Sequence, residues 1–204
     1  MITVVDYGLG NIGSILNMLR RIGVKAESTS EIGKIAEADK LILPGVGSFD
    51  SGVESLERMN LLTELENTVL RRRVPTLGIC LGAQLLTRGS QEGKRSGLGW
   101  IQADTIRFFS QKSDINLPVP NMGWRNISVA KLSPLFIDLP LNPRFYFVHS
   151  YHFVCDNPSD VICTADYGYN FTAAFSKDNI YGVQFHPEKS HKFGIKILSN
   201  FAAI

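Results

Sequence analysis

The sequence predicts an α/β fold, with a central, mostly parallel sheet covered by helices on both faces and an antiparallel, β-rich C-terminal half. Three observations predict it. From Ile2 to Ile79 short β-branched or apolar runs alternate with helical periods, and parallel strands joined in this way need crossover helices. From about Gly97 the pattern changes to short strands broken by Pro and Gly, which suits antiparallel pairing. After Ser190 a closing helical pattern carries Phe193, Ile197, Leu198 and Phe201 on a common side.

In chain order, residues 2–5, 25–29, 40–43 and 74–79 read as the strands of the first half. The first helix is marked by Ile12, Ile15, Leu16, Leu19 and Ile22 at three- and four-residue steps, and Gly23 supplies its stop. A second helix begins near Asn60, with Leu62, Leu65 and Val69 on one face. In the second half the strand patterns fall at 100–109, 127–130, 144–148, 151–155, 161–165, 172–176 and 180–185. No repeat, linker or low-complexity tract interrupts them, so one domain over residues 1–204 is expected.

Composition narrows the function classes. Of the 204 residues 44% are hydrophobic and 20% charged, as in ordinary soluble globular proteins. The net charge of +2 is too small for a nucleic-acid face, and the run Arg71-Arg72-Arg73 reads as a solvated helix end. No apolar stretch approaches the roughly 18 residues of a membrane span, and Met1 to Asp6 enters a strand without a basic leader, so a cytoplasmic protein is expected. Cys80, Cys155 and Cys163 are odd in number and irregularly placed, which argues for a reducing compartment. No CxxC pair or His-rich cluster calls for a metal, and no cofactor is expected.

Chemistry concentrates at Thr76-Leu77-Gly78-Ile79-Cys80-Leu81-Gly82-Ala83-Gln84, where a cysteine sits between two glycines at a strand-to-helix junction. This is the G-x-C-x-G form of the nucleophile elbow: the sharp turn strains the nucleophile and leaves no room for side chains two residues before and after it. The helix that follows points free N–H groups and its positive end at the sulfur, which favours thiolate. Cys155 and Cys163 lack flanking glycines and read as packing residues.

A thiol nucleophile needs a base held by a third group. Of His149, His152, His186 and His191, His186 ends a strand pattern, is followed by Pro187, which stops pairing, and then by Glu188, which can hold the ring's other nitrogen. An isolated His-Pro-Glu also fits a surface turn. The oxyanion needs backbone donors. Leu81 N–H is one; Val46 and Gly47 of the segment Pro44-Gly45-Val46-Gly47-Ser48-Phe49 are the second source, although that segment alone also fits an ordinary strand-to-helix turn.

With the elbow, the Pro-Gly-Val-Gly loop and His-Pro-Glu in this order, the sequence resembles the class I glutamine amidotransferases over nearly its whole length. Within them it is most similar to the glutaminase subunits of imidazole glycerol phosphate synthases, through Asp6-Tyr7-Gly8-Leu9-Gly10-Asn11, Met122-Gly123-Trp124, Phe147-Val148-His149-Ser150-Tyr151 and Gln184-Phe185-His186-Pro187-Glu188-Lys189-Ser190. The resemblance implies a flavodoxin-like fold and a Cys80, His186, Glu188 triad that hydrolyses L-glutamine. It implies that Gln84 and Glu92 hold the substrate, with Tyr146, His149 and Ser150 lining the same pocket, and that a (β/α)8 barrel synthase (cyclase) subunit receives the ammonia in a heterodimer. Asn11, Asn121, Trp124 and Lys189 match positions that face that partner. Outside the resemblance, Gln84 and Glu92 would pass as surface residues and Trp124 as core.

The segment Pro120-Asn121-Met122-Gly123-Trp124-Arg125 departs from the histidine-pathway pattern, which has His before the Met and Asn after the Trp. That opens a second pathway, ammonia supply for amidino-sugar formation in bacterial surface polysaccharides. Two further classes compete: a partner-independent cysteine hydrolase and a subunit without turnover.

Overall fold

A computed structural model of the chain describes residues 1–108 and 117–204. Its first half runs β1 (Ile2–Val5), α1 (Ile12–Arg21), β2 (Ala26–Thr29), α2 (Ile32–Ala36), β3 (Lys40–Leu43), α3 (Phe49–Arg58), α4 (Leu62–Glu66), a π-helical turn over Asn67–Arg71, β4 (Thr76–Ile79) and α5 (Leu81–Leu85). β1, β2, β3 and β4 pair in parallel. Because successive side chains of a strand point to opposite faces, the short apolar strands β1 and β3 feed two cores at once. Val4, Ile42 and Leu77 pack with Ile15 and Leu19 of α1 on one face. Val5, Leu41 and Leu43 pack with Phe49, Val53 and Leu56 of α3 on the other.

Neither α2 nor α3 is among the helices that periodicity marks. α3 carries Phe49, Gly52, Val53 and Leu56 buried at three- and four-residue steps, and its N-cap Ser48 accepts from the N–H of Ser51 at 3.4 Å. The helix expected from Asn60 starts at Leu62, because Asn60 itself takes a left-handed φ of 54°. Leu65 and Val69 are buried on its inner face.

The second half comprises β5 (Ala103–Arg107), β6 (Asn121–Val129), β7 (Arg144–His149), β8 (Tyr151–Cys155), β9 (Val161–Asp166), β10 (Asn170–Lys177), β11 (Ile180–Val183) and α6 (His191–Ala203). Among the described residues the strands join in one eleven-stranded sheet, ordered β2-β1-β3-β4-β11-β10-β9-β6-β7, with β8 pairing both β10 and β5. Phe109, the end of the strand expected over 100–109, lies outside the described residues. β6 starts well before the expected residue 127, since Asn121 to Asn126 pair with β7 around Gly123 at φ +124°. α6 buries Phe193, Ile197, Leu198 and Phe201 against α1's face of the sheet.

β11 positions the site. It lies antiparallel to β10 but parallel to β4, in the register Gly182↔Gly78 and Val183↔Ile79. The strand expected through residue 185 stops at Val183 because its partner β4 ends at Ile79, where the chain turns. Residues 184–188 therefore leave the sheet beside Cys80.

Candidate active site

Cys80 sits at the turn from β4 into α5 with φ 52° and ψ −112°, a left-handed backbone that a residue with a Cβ adopts only when its surroundings enforce it. The Cys80 N–H donates to Val183 O at 2.8 Å, and Cys80 O accepts from the Gln84 N–H at 3.0 Å, so strand and helix each hold one end of the turn. A Cβ on Gly78 would stand 2.6 Å from Ala83 Cα, and one on Gly82 1.9 Å from Leu43 O. Both glycines are thus required by backbone packed against them. Gly45 is equally constrained, with Gly82 N 2.6 Å from a hypothetical Cβ, which brings the Pro44-Gly45-Val46-Gly47 loop against the elbow. The Tyr7 hydroxyl, donating to Pro44 O at 2.5 Å, secures that loop from beneath.

His186 follows β11 into a short helical turn, and its Nδ1 lies 2.8 Å from Glu188 Oε1 with both side chains buried. Burial works against charge on the ring, but the Cys80 sulfur and the Glu188 carboxylate outweigh it and raise the imidazole to about 10. Burial likewise disfavours the Glu188 carboxylate; hydrogen bonds and charge from His186, and Asn11, hold it below the ordinary range. The Asn11 Nδ2 donates to Glu188 Oε1 at 3.0 Å. Ser190 fixes the turn, its hydroxyl donating to His186 O at 2.6 Å and accepting from the Tyr146 N–H at 3.0 Å.

A cleft of about 510 Å³ opens over these groups. Cys80, His186, Leu81, Val46, Gly47, Gln84, Glu92, His149, Ser150, Asn11 and Lys189 all line it, so the structure brings most of the sequence-derived residues to one place. Gln84 is buried, not a surface residue, and its Nε2 donates to Gln184 Oε1 at 3.2 Å and Tyr151 O at 3.4 Å. Glu92 accepts from the Phe49 N–H at 2.8 Å, which places a carboxylate at the N-terminus of α3 and at the cleft wall together.

Two expected positions differ. Tyr146 does not line the cleft: its ring meets Trp124 edge-on at 6.2 Å, directly across the β6–β7 ladder, and sits under the Lys189 ammonium at 5.8 Å. Asn121, expected at a partner-facing surface, is fully buried. It donates through Nδ2 to His149 Nε2 at 3.1 Å and accepts from Arg125 Nε at 3.0 Å. Trp124 is 38% exposed, stacked on His191 at 5.5 Å, and its neighbour Met122 is 57% exposed.

The Asn121 contact fixes His149. Its Nδ1 must donate to Tyr151 O at 2.7 Å, because a carbonyl only accepts, and its Nε2 then accepts from Asn121. Burial pushes this imidazole down to about 3, and burial lowers His152 as well. Between an unfolded value near 6.5 and about 3, the unfolded chain binds the proton that folded His149 refuses. Stability from this group is therefore full above about pH 6.5 and lost as pH falls toward 3. The melting temperature is expected to be lower at about pH 4.5 than at about pH 7.5, with a smaller difference in His149→Gln; an equal difference in that variant would count against the assignment.

Sequence reasoning missed Gln184, Tyr7 and the role of Asn11. The signal for Gln184 was present: a carboxamide alone in the apolar run from Ile180 to Phe185 is a buried polar group in need of partners. The others depend on contacts between distant segments. Among the described residues no group of three or more His, Cys, Asp and Glu could hold a metal, and no helix is long and apolar enough to cross a membrane.

The arrangement brings a buried thiol, an imidazole paired with a carboxylate, and the backbone of Leu81, Val46 and Gly47 to one cleft, a combination suited to acyl transfer through a thioester. Known proteins resemble it in sequence and fold. Residues 3–204 match the family model described as glutamine amidotransferase class-I. The chain is 49% identical to the imidazole glycerol phosphate synthase subunit HisH 2 of Methanococcus maripaludis, covering 98% of each. It is 47% identical to the subunit HisH 2 of Pseudomonas aeruginosa over the full length of both. The solved structure of PurLQS from Thermotoga maritima superposes with a TM-score of 0.73 at 18% identity, covering 98% of this chain and 96% of that one. A nucleophile elbow at the centre of a mixed α/β sheet, matched by the family model almost end to end, makes this chain a member of the class I glutamine amidotransferases.

Proposed function

We propose that this chain is the glutaminase subunit of an imidazole glycerol phosphate synthase, a single glutaminase domain working in the cytoplasm beside a (β/α)8 barrel cyclase. The observation that carries the proposal is the placing of Cys80 and His186 on one cleft, with the Glu188 carboxylate 2.8 Å from His186 Nδ1, in a chain with full-length relatives of that name. Cys80 attacks the side-chain amide carbon of glutamine, and the C–N bond breaks as His186 gives its proton to the departing ammonia. Water activated by His186 then cleaves the thioester, releasing glutamate and restoring the thiol. Leu81 N–H, with the Val46 and Gly47 segment, stabilises the oxyanion in both steps. Gln84, Glu92, His149 and Ser150 hold the substrate's amino acid end.

Ammonia released into neutral water is protonated and loses its nucleophilicity, so it must pass directly to an acceptor site. Asn11 and Lys189 at the cleft and the exposed Met122 and Trp124 on β6 form the face that meets the barrel. The test is glutamate release by the chain alone, with the barrel, and with the barrel plus its nucleotide acceptor. Low activity alone and a rise on adding both partners is the expected result. Full activity in isolation, or no stimulation by the barrel, would overturn the coupling, and stimulation only by a barrel of amidino-sugar synthesis would reassign the pathway.

A further inference from the structure

Gln184 lies just beyond β11, completely buried, with its N–H held by Ala173 O at 2.9 Å. Its Nε2 donates to Cys80 Sγ at 3.7 Å, and its Oε1 accepts from Gln84 Nε2 at 3.2 Å. The orientation of both carboxamides is dictated from outside. Tyr151 O can only accept, so the Gln84 nitrogen faces it; Gln84 then presents N–H to Gln184, whose oxygen must answer, and the nitrogen of Gln184 is left facing the sulfur.

We propose that Gln184 is a positioning residue for the nucleophile: its carboxamide holds the Cys80 sulfur from behind and couples it to Gln84 at the wall of the cleft. This rests on Cys80 being the nucleophile. A buried carboxamide without partners is costly, and an apolar side chain would fill the same space, so its presence marks a use for its donor and acceptor. That use follows from the geometry. One lone pair of the sulfur is engaged by Gln184, which leaves the attacking lone pair for the substrate carbon on the cleft side, where His186 also lies. A carboxamide does not titrate, so its N–H stays directed at the sulfur whether thiol or thiolate, and it donates most strongly to the thiolate. Substrate pressing on Gln84 is transmitted to the sulfur through two hydrogen bonds.

The proposal separates the donor of Gln184 from its acceptor, and two variants do the same. Gln184→Leu removes both; Gln184→Glu keeps an oxygen for Gln84 and removes the N–H toward Cys80. Glutamine hydrolysis is measured on the complex with the barrel and its acceptor, with circular dichroism as the fold control. In Gln184→Leu the expected result is a fall in kcat of about tenfold with KM changed less than about threefold. Gln184→Glu is expected to lose at least as much in kcat although its packing is isosteric. If Gln184→Glu keeps the wild-type kcat, or if either variant changes only KM, the donor to Cys80 is not used and the proposal is overturned. Should Gln184→Leu fail to fold, the Gln184→Glu comparison decides alone. Retained hydrolysis in Cys80→Ala would mark failure of the nucleophile assignment itself, whatever Gln184 does.

Discussion

Cys80→Ala is expected to lower glutamine hydrolysis by about 10⁴-fold or more while leaving the fold and the affinity for the proposed barrel partner unchanged. The loss is large because nothing replaces the sulfur. Cys155 is half-buried in β8 and burial pushes its thiol up to about 12; Cys163 is fully buried in β9 and is pushed up further. Neither lines the cleft. The fold survives because alanine keeps the Cβ at φ 52° and adds no strain that cysteine lacks, and the backbone bonds to Val183 O and from the Gln84 N–H persist. Glutamate release and calorimetric titration with the barrel read the two halves of the prediction. Hydrolysis within about tenfold of the wild-type rate would remove Cys80 from the mechanism; lost binding would mean that the elbow also shapes the interface.

A large structural effect is expected from Gly82→Ala. Its methyl group would lie 1.9 Å from Leu43 O and 2.9 Å from Pro44 O, and both neighbours are backbone at the end of a central strand. No rotamer change relieves such a contact, so either the start of α5 or the end of β3 must move. Overpacking of this kind costs about 3 kcal/mol, a loss of about 6–12 °C in melting temperature for a chain of this size. Activity falls with it, since Leu81 and the Val46–Gly47 loop lie on the two elements forced apart. Gly33→Ala is the control: a Cβ there meets nothing within 4 Å, and in the short helix α2 the change is neutral or stabilising by up to about 1 kcal/mol. Equal losses in the two variants would refute the steric account.

The elbow was legible because its chemistry is local: strand, nucleophile, glycines and helix occupy consecutive residues. The parallel and antiparallel halves were legible from periodicity, since each half repeats one pattern. What stayed hidden depends on register. Whether β11 lies beside β4 is decided by pairing across a hundred residues, and that pairing brings Gln184 to the sulfur. Asn121 stands directly opposite His149 in the β6–β7 ladder, which turns an expected interface residue inward. Tyr146 shares a face with Trp124 through the same ladder and is drawn off the cleft by that contact. Asn11 reaches Glu188 over a separation of 177 residues, which no local motif encodes.

The place of β11 bears on how the protein is made. It is the last strand in sequence, yet it fills a central slot between β4 and β10. A chain emerging from the ribosome therefore carries the elbow residues beside an unfilled sheet edge, with the Cys80 N–H still lacking Val183 O and no histidine against the sulfur. On the proposed roles of Cys80 and His186, glutamine hydrolysis has to wait until the final strand docks, and the open edge of β4 is the surface on which misassembly would begin. Closing the sheet and bringing His186 and Glu188 to Cys80 are one event.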